Sequence, residues 1–158
     1  MKKPGAADER KLIAENRKAR ERYKVEEKFE AGLALVGTEV KALRAGKAQL
    51  SDSYAQMHRD ELYLMNLHIS AYSHGGYTNH EPTRDRKLLM HRHEIEKVRV
   101  KLERRGYTLI PLELYFKGGR VKVQLGLCVG KDAIDRRAEL KERDAKKEID
   151  RVMKAAKR

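Results

Sequence analysis

Apolar and polar residues alternate with a period of two along much of the chain. From 23 to 36, Tyr23, Val25, Phe29, Ala31, Leu33 and Leu35 fall on one side, and Lys24, Glu26, Lys28 and Glu30 on the other. This predicts a strand with one buried face. Glu27 interrupts the apolar side, and Gly32 predicts a bulge or bend. Two hairpins follow from the same alternation. Residues 54–57 and 62–72 flank the polar His58-Arg59-Asp60-Glu61, with Tyr63, Met65, Leu67, Ile69 and Ala71 expected on one face of the second arm. Residues 107–116 and 121–129 flank Lys117-Gly118-Gly119-Arg120, whose glycine pair suits a tight turn. Val121, Val123, Leu125, Leu127 and Val129 alternate without a break, which sets Cys128 on the opposite face with Lys122, Gln124 and Gly126.

A helical period occupies two places. Gly37 to Gly46 predicts a short helix capped by Thr38, with Glu39 suited to its positive end and Gly46 to its C′ position. Val40 and Leu43 are expected inward, Lys41 and Arg44 outward. Glu94 to Arg105 predicts a longer helix with Ile95, Val98 and Leu102 on one stripe and Gly106 as its stop. Residues 73–87 carry no period and are rich in loop formers. From Lys131 onward charge dominates and apolar residues thin to Ile134, Ala138, Leu140, Ala145, Ile149, Val152 and Met153. Such a weak stripe predicts a tail that is disordered alone and helical on a partner.

Antiparallel hairpins outnumber any βαβ pattern, so the predicted class is mainly β. The expected architecture is a small antiparallel oligonucleotide-binding (OB-type) barrel with short helices and a basic C-terminal tail. A split α+β sheet is the alternative. The expected organisation is a flexible terminus over 1–10, the barrel over 11–130 and the tail over 131–158.

Charge turns this fold toward a ligand class. The chain has 158 residues, 37 Lys and Arg against 24 Asp and Glu, and a formal charge of +13. A single basic domain of this kind points to a polyanion, and nucleic acid is the default. No apolar run is long enough for a membrane helix, and Met1-Lys2-Lys3-Pro4-Gly5 leads into no secretory core, so a cytoplasmic protein is expected. The lone Cys128 excludes an internal disulfide. His91 and His93 stand two apart, no metal-chelating spacing occurs, and no metal or cofactor is expected. Ser51-Asp52-Ser53 fits a turn better than a hydrolase site.

Two features are chemically ambiguous. Glu26 and Glu30 share the outward face and could form a nuclease-like pair, or simply belong to a mixed charged face. Glu30 could also accept hydrogen bonds from nucleobase amino groups. The basic clusters carry the stronger signal: Arg17-Lys18 with Arg20 and Arg22, Lys41 with Arg44 and Lys47, Arg84 to Lys87, and Arg136-Arg137. With no Trp and scarce Phe, recognition of folded RNA by shape and backbone is favoured over a single-strand stacking channel. Chemistry alone leaves an RNA adaptor, a generic basic barrel (a ribosomal or RNA-chaperone protein) and a small nuclease open.

Several blocks then resemble one family. Asn16-Arg17-Lys18-Ala19, Phe29-Glu30-Ala31-Gly32 and Gly37 to Gly46 are similar to the bacterial SsrA-binding (SmpB) proteins. So are Asp52-Ser53-Tyr54, Pro82 to Leu89, Gly106-Tyr107-Thr108, Pro111 to Tyr115, Gly130-Lys131 and Asp135-Arg136-Arg137. The resemblance implies an OB-type barrel and a non-enzymatic partner of transfer-messenger RNA in trans-translation. It implies that the barrel holds the tRNA-like domain of that RNA on stalled ribosomes. Elongation factor Tu and alanyl-tRNA synthetase would be met indirectly, through the RNA. The implied RNA-binding positions are Asn16, Arg17, Lys18, Arg20, Glu30, Lys41, Arg44, Lys47, Arg84, Arg86, Lys87 and Leu89. Leu89 is either an apolar RNA contact or plain core. The implied ribosome-binding tail includes Lys131, Asp135, Arg136, Arg137 and Lys141, helical in the empty message channel. This chain departs from many members in having Arg20-Glu21-Arg22-Tyr23 where they carry His, Thr38 where they carry Trp, and Arg136 where Lys is usual.

Overall fold

The alternating segments pair into a ring. The structure, a computed structural model, describes residues 9–76, 79–104, 106–130, 143 and 145–154. Its elements are β1 (Arg10–Glu15), α1 (Arg17–Arg22), β2 (Tyr23–Leu33), α2 (Gly37–Arg44), β3 (Ala48–Gln49) and β4 (Tyr54–His58). There follow β5 (Glu61–Met65), β6 (His68–Ile69), β7 (Arg86–Leu89), α3 (Arg92–Leu102), β8 (Tyr107–Lys117) and β9 (Arg120–Gly130). The strand order β8-β4-β5-β7-β2-β9 closes on itself through the β8–β9 pairing, and β1 adds to β8 outside the ring. All pairs are antiparallel. The expected barrel is therefore present, and closure removes the open edges a split sheet would leave.

The β8–β9 hairpin forms because Gly118 and Gly119 take φ of 57° and 76°, the left-handed values a two-residue turn needs. β8 then shares one edge between two partners: β1 along its C-terminal half and β4 through Ala55 opposite Leu109. The barrel interior holds Phe29, Leu33, Leu64, Leu109, Val123 and Leu125, all buried. Burying each such side chain contributes about 1.5–3 kcal/mol.

The structure corrects the sequence reading at several points. The bulge in β2 lies between Val25 and Glu27, not at Gly32. The slip turns Val25 out of the barrel, where with Tyr23 it packs on Ala19, Ile110, Leu112 and Cys128. That second cluster is a small core between α1 and the outer face of β8 and β9. Cys128 lies, as expected, on the face opposite the Val121–Val129 alternation, is fully buried there, and burial pushes its thiol up to about 11. β4 and β5 join through only Arg59 and Asp60, tighter than the four-residue connection expected. The arm after that turn does not run unbroken to residue 72. β5 stops at Met65, and Asn66 takes φ of 58°. Leu62 and Leu64 point inward before this kink, Leu67 and Ile69 after it, so Tyr63 and Met65 lie on the outer side. In α2 the cap is Val36, whose N–H donates to Glu39 at 3.0 Å, while the Thr38 hydroxyl meets His80 Nδ1 at 2.9 Å. Glu39, Ala42 and Leu43 form the buried face of α2, not Val40 and Leu43.

Candidate nucleic-acid interface

The register of the ring lines up one outward row across five strands. Leu89 on β7 faces Gly32 on β2, Gly32 faces Lys122 on β9, Lys122 faces Tyr115 on β8, and Tyr115 faces Leu12 on β1. Gly32 has a steric role here. A Cβ at that position would stand 3.2 Å from Leu89 Cβ, so the missing side chain lets β7 and β2 close up beneath Leu89. Leu89 is 51 % exposed while its neighbour Leu88 is 1 % exposed, which decides against Leu89 as core.

Glu30 stands beside this row. Its Oε2 accepts from the Tyr115 hydroxyl at 2.6 Å, and Lys117 Nζ lies 3.2 Å from Oε1 and 3.3 Å from Oε2. Arg10 Nη2 is 3.5 Å from Oε2, with its guanidinium 4.5 Å from the Tyr115 ring centre. The Tyr115 hydrogen bond, with Lys117 and Arg10 adding to it, outweighs burial and holds the Glu30 carboxyl below its ordinary range. Burial and the Glu30 charge push the Tyr115 phenol up. Glu30 is thus an anion at neutral pH, set among cations. It opens on a concavity of about 700 Å³ lined also by Lys87, Leu89, His91, Arg92 and Lys122. Such a surface can neutralise phosphates at its rim and offer one acceptor inside.

The remaining expected positions distribute unevenly. Lys87 lines the concavity and pairs with Glu61 at 3.0 Å. Arg17 and Lys18 lie exposed on α1, and Arg44 and Lys47 exposed at the end of α2. None of these four forms an ion pair among the described residues. Lys41 is exposed, with its ammonium 5.4 Å from the Tyr72 ring centre. Arg20 is exposed but bridges Glu15 at 2.8 Å and Glu113 at 3.0 Å.

Two of the expected positions lie inside the protein. Asn16 is 2 % exposed, and both ends of its amide are used inside the protein. Its Nδ2 donates to Pro111 O at 3.0 Å and Leu50 O at 3.3 Å, and its Oδ1 caps α1 through the Ala19 N–H at 3.2 Å. Asn16 holds α1 against the barrel and presents no side-chain group outward. Arg86 is 0 % exposed and donates to Glu39, to Leu67 O at 2.6 Å and to Pro82 O at 3.0 Å. Arg84 is spent in part on the same carboxylate, with Nη2 2.5 Å from Glu39 Oε1. Burial alone would raise the Glu39 carboxyl, but Arg84, the Val36 N–H and Arg86 hold it below the ordinary range. Within the Arg84 to Lys87 cluster, Arg86 and in part Arg84 thus serve as a clamp between α2 and the start of β7, while Lys87 faces the concavity.

Lys122, Arg92, Arg10, Tyr115 and Lys117 were missed. The alternation of β9 had already placed Lys122 outward, but its position between Gly32 and Tyr115 depends on strand register. Among the described residues, no group of three or more His, Cys, Asp or Glu could hold a metal ion. Glu26 is the extra residue of the β2 bulge, whereas Glu30 lies in regular register beyond it and is turned toward β8, bonded to Tyr115. Lys131, Asp135, Arg136, Arg137 and Lys141 lie outside the described residues. Residues 145–154 form a helix on which Ile149, Val152 and Met153 are 58 %, 65 % and 63 % exposed. No helix among the described residues is long and apolar enough to cross a membrane.

Comparison with known proteins agrees with this geometry. A family model described as SmpB protein matches residues 13–155. The SsrA-binding protein of Syntrophobacter fumaroxidans is 51 % identical over 96 % of this chain and 94 % of its own. That of Myxococcus xanthus is 56 % identical over 91 % of this chain and 89 % of its own. A solved structure described as "tmRNA-SmpB: a journey to the center of the bacterial ribosome" superposes with a TM-score of 0.64 at 51 % identity, over 75 % of this chain and 83 % of that one. Likeness of this extent, carried by the same barrel, shows that the chain belongs to the SmpB family of SsrA-binding proteins.

Proposed function

We propose that this protein binds the tRNA-like domain of transfer-messenger RNA (SsrA RNA) and delivers it to stalled ribosomes for trans-translation, as an adaptor without catalysis. The observation that carries this is 51 % identity to an SsrA-binding protein over 96 % of the chain. A generic basic barrel would leave that likeness unexplained. The strip holding Glu30, Lys87, Leu89 and Lys122 is the proposed RNA face. Arg17 and Lys18 on α1, and Lys41, Arg44 and Lys47 around α2, supply further phosphate contacts. Asn16 and Arg86 support this surface from inside. The tail from 131 to 158, with Lys131, Asp135, Arg136, Arg137 and Lys141, enters the empty message channel of the ribosome as a helix. The uncovered Ile149, Val152 and Met153 support an external partner for it. Elongation factor Tu and alanyl-tRNA synthetase meet the complex through the RNA, in the cytoplasm.

The test is affinity at physiological salt for the tRNA-like domain against ordinary tRNA. A large preference is expected. Equal, weak binding, with Kd of roughly 10⁻⁴–10⁻⁶ M, would return the protein to the generic barrel class. Truncation after Gly130 should leave RNA binding intact and abolish rescue, and normal rescue by the truncated chain would refute the tail assignment. Incubated with Mg²⁺ and protein, the RNA should stay intact; cleavage would point instead to the nuclease reading.

A further inference from the structure

We propose that Tyr115 and Lys117 are positioning residues for RNA recognition: they fix the Glu30 carboxylate so that its Oε1 accepts a hydrogen bond from a nucleobase N–H. This rests on the RNA reading of the Glu30 face given above.

A glutamate on the RNA face of a basic protein repels phosphates, so its use lies in accepting from a base edge. To do that it must stay ionised and keep one direction. The neighbours of Glu30 divide unequally between its two oxygens. Oε2 takes the Tyr115 hydroxyl at 2.6 Å, Lys117 at 3.3 Å and Arg10 at 3.5 Å. Among the described residues Oε1 meets only Lys117, at 3.2 Å. Each carboxylate oxygen has about two lone-pair sites, so Oε2 is filled and Oε1 keeps one free. The side chain is 34 % exposed, which leaves that site reachable.

Tyr115 is suited to the task because it is enclosed by the protein. It is 1 % exposed, with the Arg10 guanidinium over its ring. Among the described residues its hydroxyl meets no other partner. Arg10 and Lys117 stand directly opposite each other on β1 and β8, a like-charge pairing that would repel. Glu30 between them removes that repulsion, so the same carboxylate that is held by the cations also holds them. The carboxyl is held below its ordinary range, and the phenol is its largest single influence.

The experiment uses the full chain, the tRNA-like domain of transfer-messenger RNA, and ordinary tRNA as control. Tyr115→Phe should weaken binding of the tRNA-like domain by about 3- to 10-fold. Binding of ordinary tRNA and the salt dependence should not change. In a Glu30→Ala background, Tyr115→Phe should cost nothing more. Acidification should separate the two proteins: the variant should begin to lose affinity at a higher pH, because its Glu30 has lost the donor that keeps it ionised. Lys117→Met, on a partly exposed side chain, gives a second variant less prone to folding loss. It should weaken binding of the tRNA-like domain more than Lys117→Arg does. Full binding by Tyr115→Phe and Lys117→Met while Glu30→Ala binds weakly would overturn the positioning role. So would an equal loss from Tyr115→Phe with Glu30 already removed. Normal binding by Glu30→Ala would overturn the RNA reading of Glu30 itself, a separate failure.

Discussion

Glu30 and Glu39 are each surrounded by basic side chains, and the two clusters do opposite things. Glu39 is 0 % exposed and is gripped by Arg84 and by the equally buried Arg86. Arg86 also satisfies the Leu67 and Pro82 carbonyls, so the cluster ties α2 to β7 and to the loop before it. Glu30 meets as many donors but lies on the outer face of β2, with one lone-pair site open to the concavity. In both places the carboxyl is held below its ordinary range. The difference is desolvation. A buried pair is rigid because losing one partner leaves a charge with nowhere to go. A half-exposed pair still exchanges with water, so a ligand can replace part of its shell. Basic clusters in a nucleic-acid-binding chain are thus of two kinds, and burial separates them.

The largest effect expected from this contrast is on stability. Glu39→Ala should destabilise the fold by about 3–5 kcal/mol by stranding Arg86, read as a fall in the denaturant midpoint. A loss below about 1 kcal/mol would mean water reaches the cluster and would erase the distinction.

Glu30→Ala should show the reverse profile. It removes a charged acceptor from the RNA face, so affinity for the tRNA-like domain should fall about 10- to 100-fold, although a negative charge has been removed from a protein that binds a polyanion. Its midpoint should shift far less than that of Glu39→Ala. Unchanged or tighter binding would take Glu30 out of the interface.

The pH dependence of stability sharpens the same comparison. Both carboxyls have folded values lowered from 4.5, so each contributes stability that is present above the unfolded value and lost as pH falls through the folded one. Denaturant titrations from pH 7 downward should be flat until the unfolded carboxyls begin to protonate. They should then fall. Glu39→Ala should lack more of that fall than Glu30→Ala; the opposite ranking would place the tighter electrostatic coupling at the surface.

The smallest effect belongs to cations held by neither cluster. Arg44 is exposed and forms no ion pair among the described residues. Arg44→Ala should weaken RNA binding a few-fold at most and lower the slope of log affinity against log salt by about 0.7–0.9. Stability should not change. An unchanged slope would remove Arg44 from the phosphate contacts.

Much of the barrel was legible because its signals are local. Gly118-Gly119 sets a turn, and Val121 to Val129 alternates cleanly, so β8 and β9 could be placed nearly to the residue. The misreadings fall where a local rule is interrupted by one residue. The slip between Val25 and Glu27 and the left-handed Asn66 each reverse the faces that follow, and neither change is marked by a Gly or Pro. Nothing local shows that α1 covers Cys128, Ile110 and Leu112 on the outer side of β8 and β9.

For the site, residue type was legible and environment was not. Glu30 and Leu89 were picked out and lie on one exposed strip; Asn16 and Arg86 were picked out beside them and lie inside. Tyr115 and Lys117 were passed over because their relation to Glu30 spans 85 and 87 positions of sequence.

By itself, then, the order of residues determined the class of fold, the hairpins, the basic character and the family, since each follows from spacing or composition within short stretches. Only the tertiary structure decided which charges are buried, which carboxylate keeps an open acceptor and which strands set Lys122 between Gly32 and Tyr115. Those outcomes depend on cross-strand register and on what covers each face, and both are set by contacts between segments far apart in the chain.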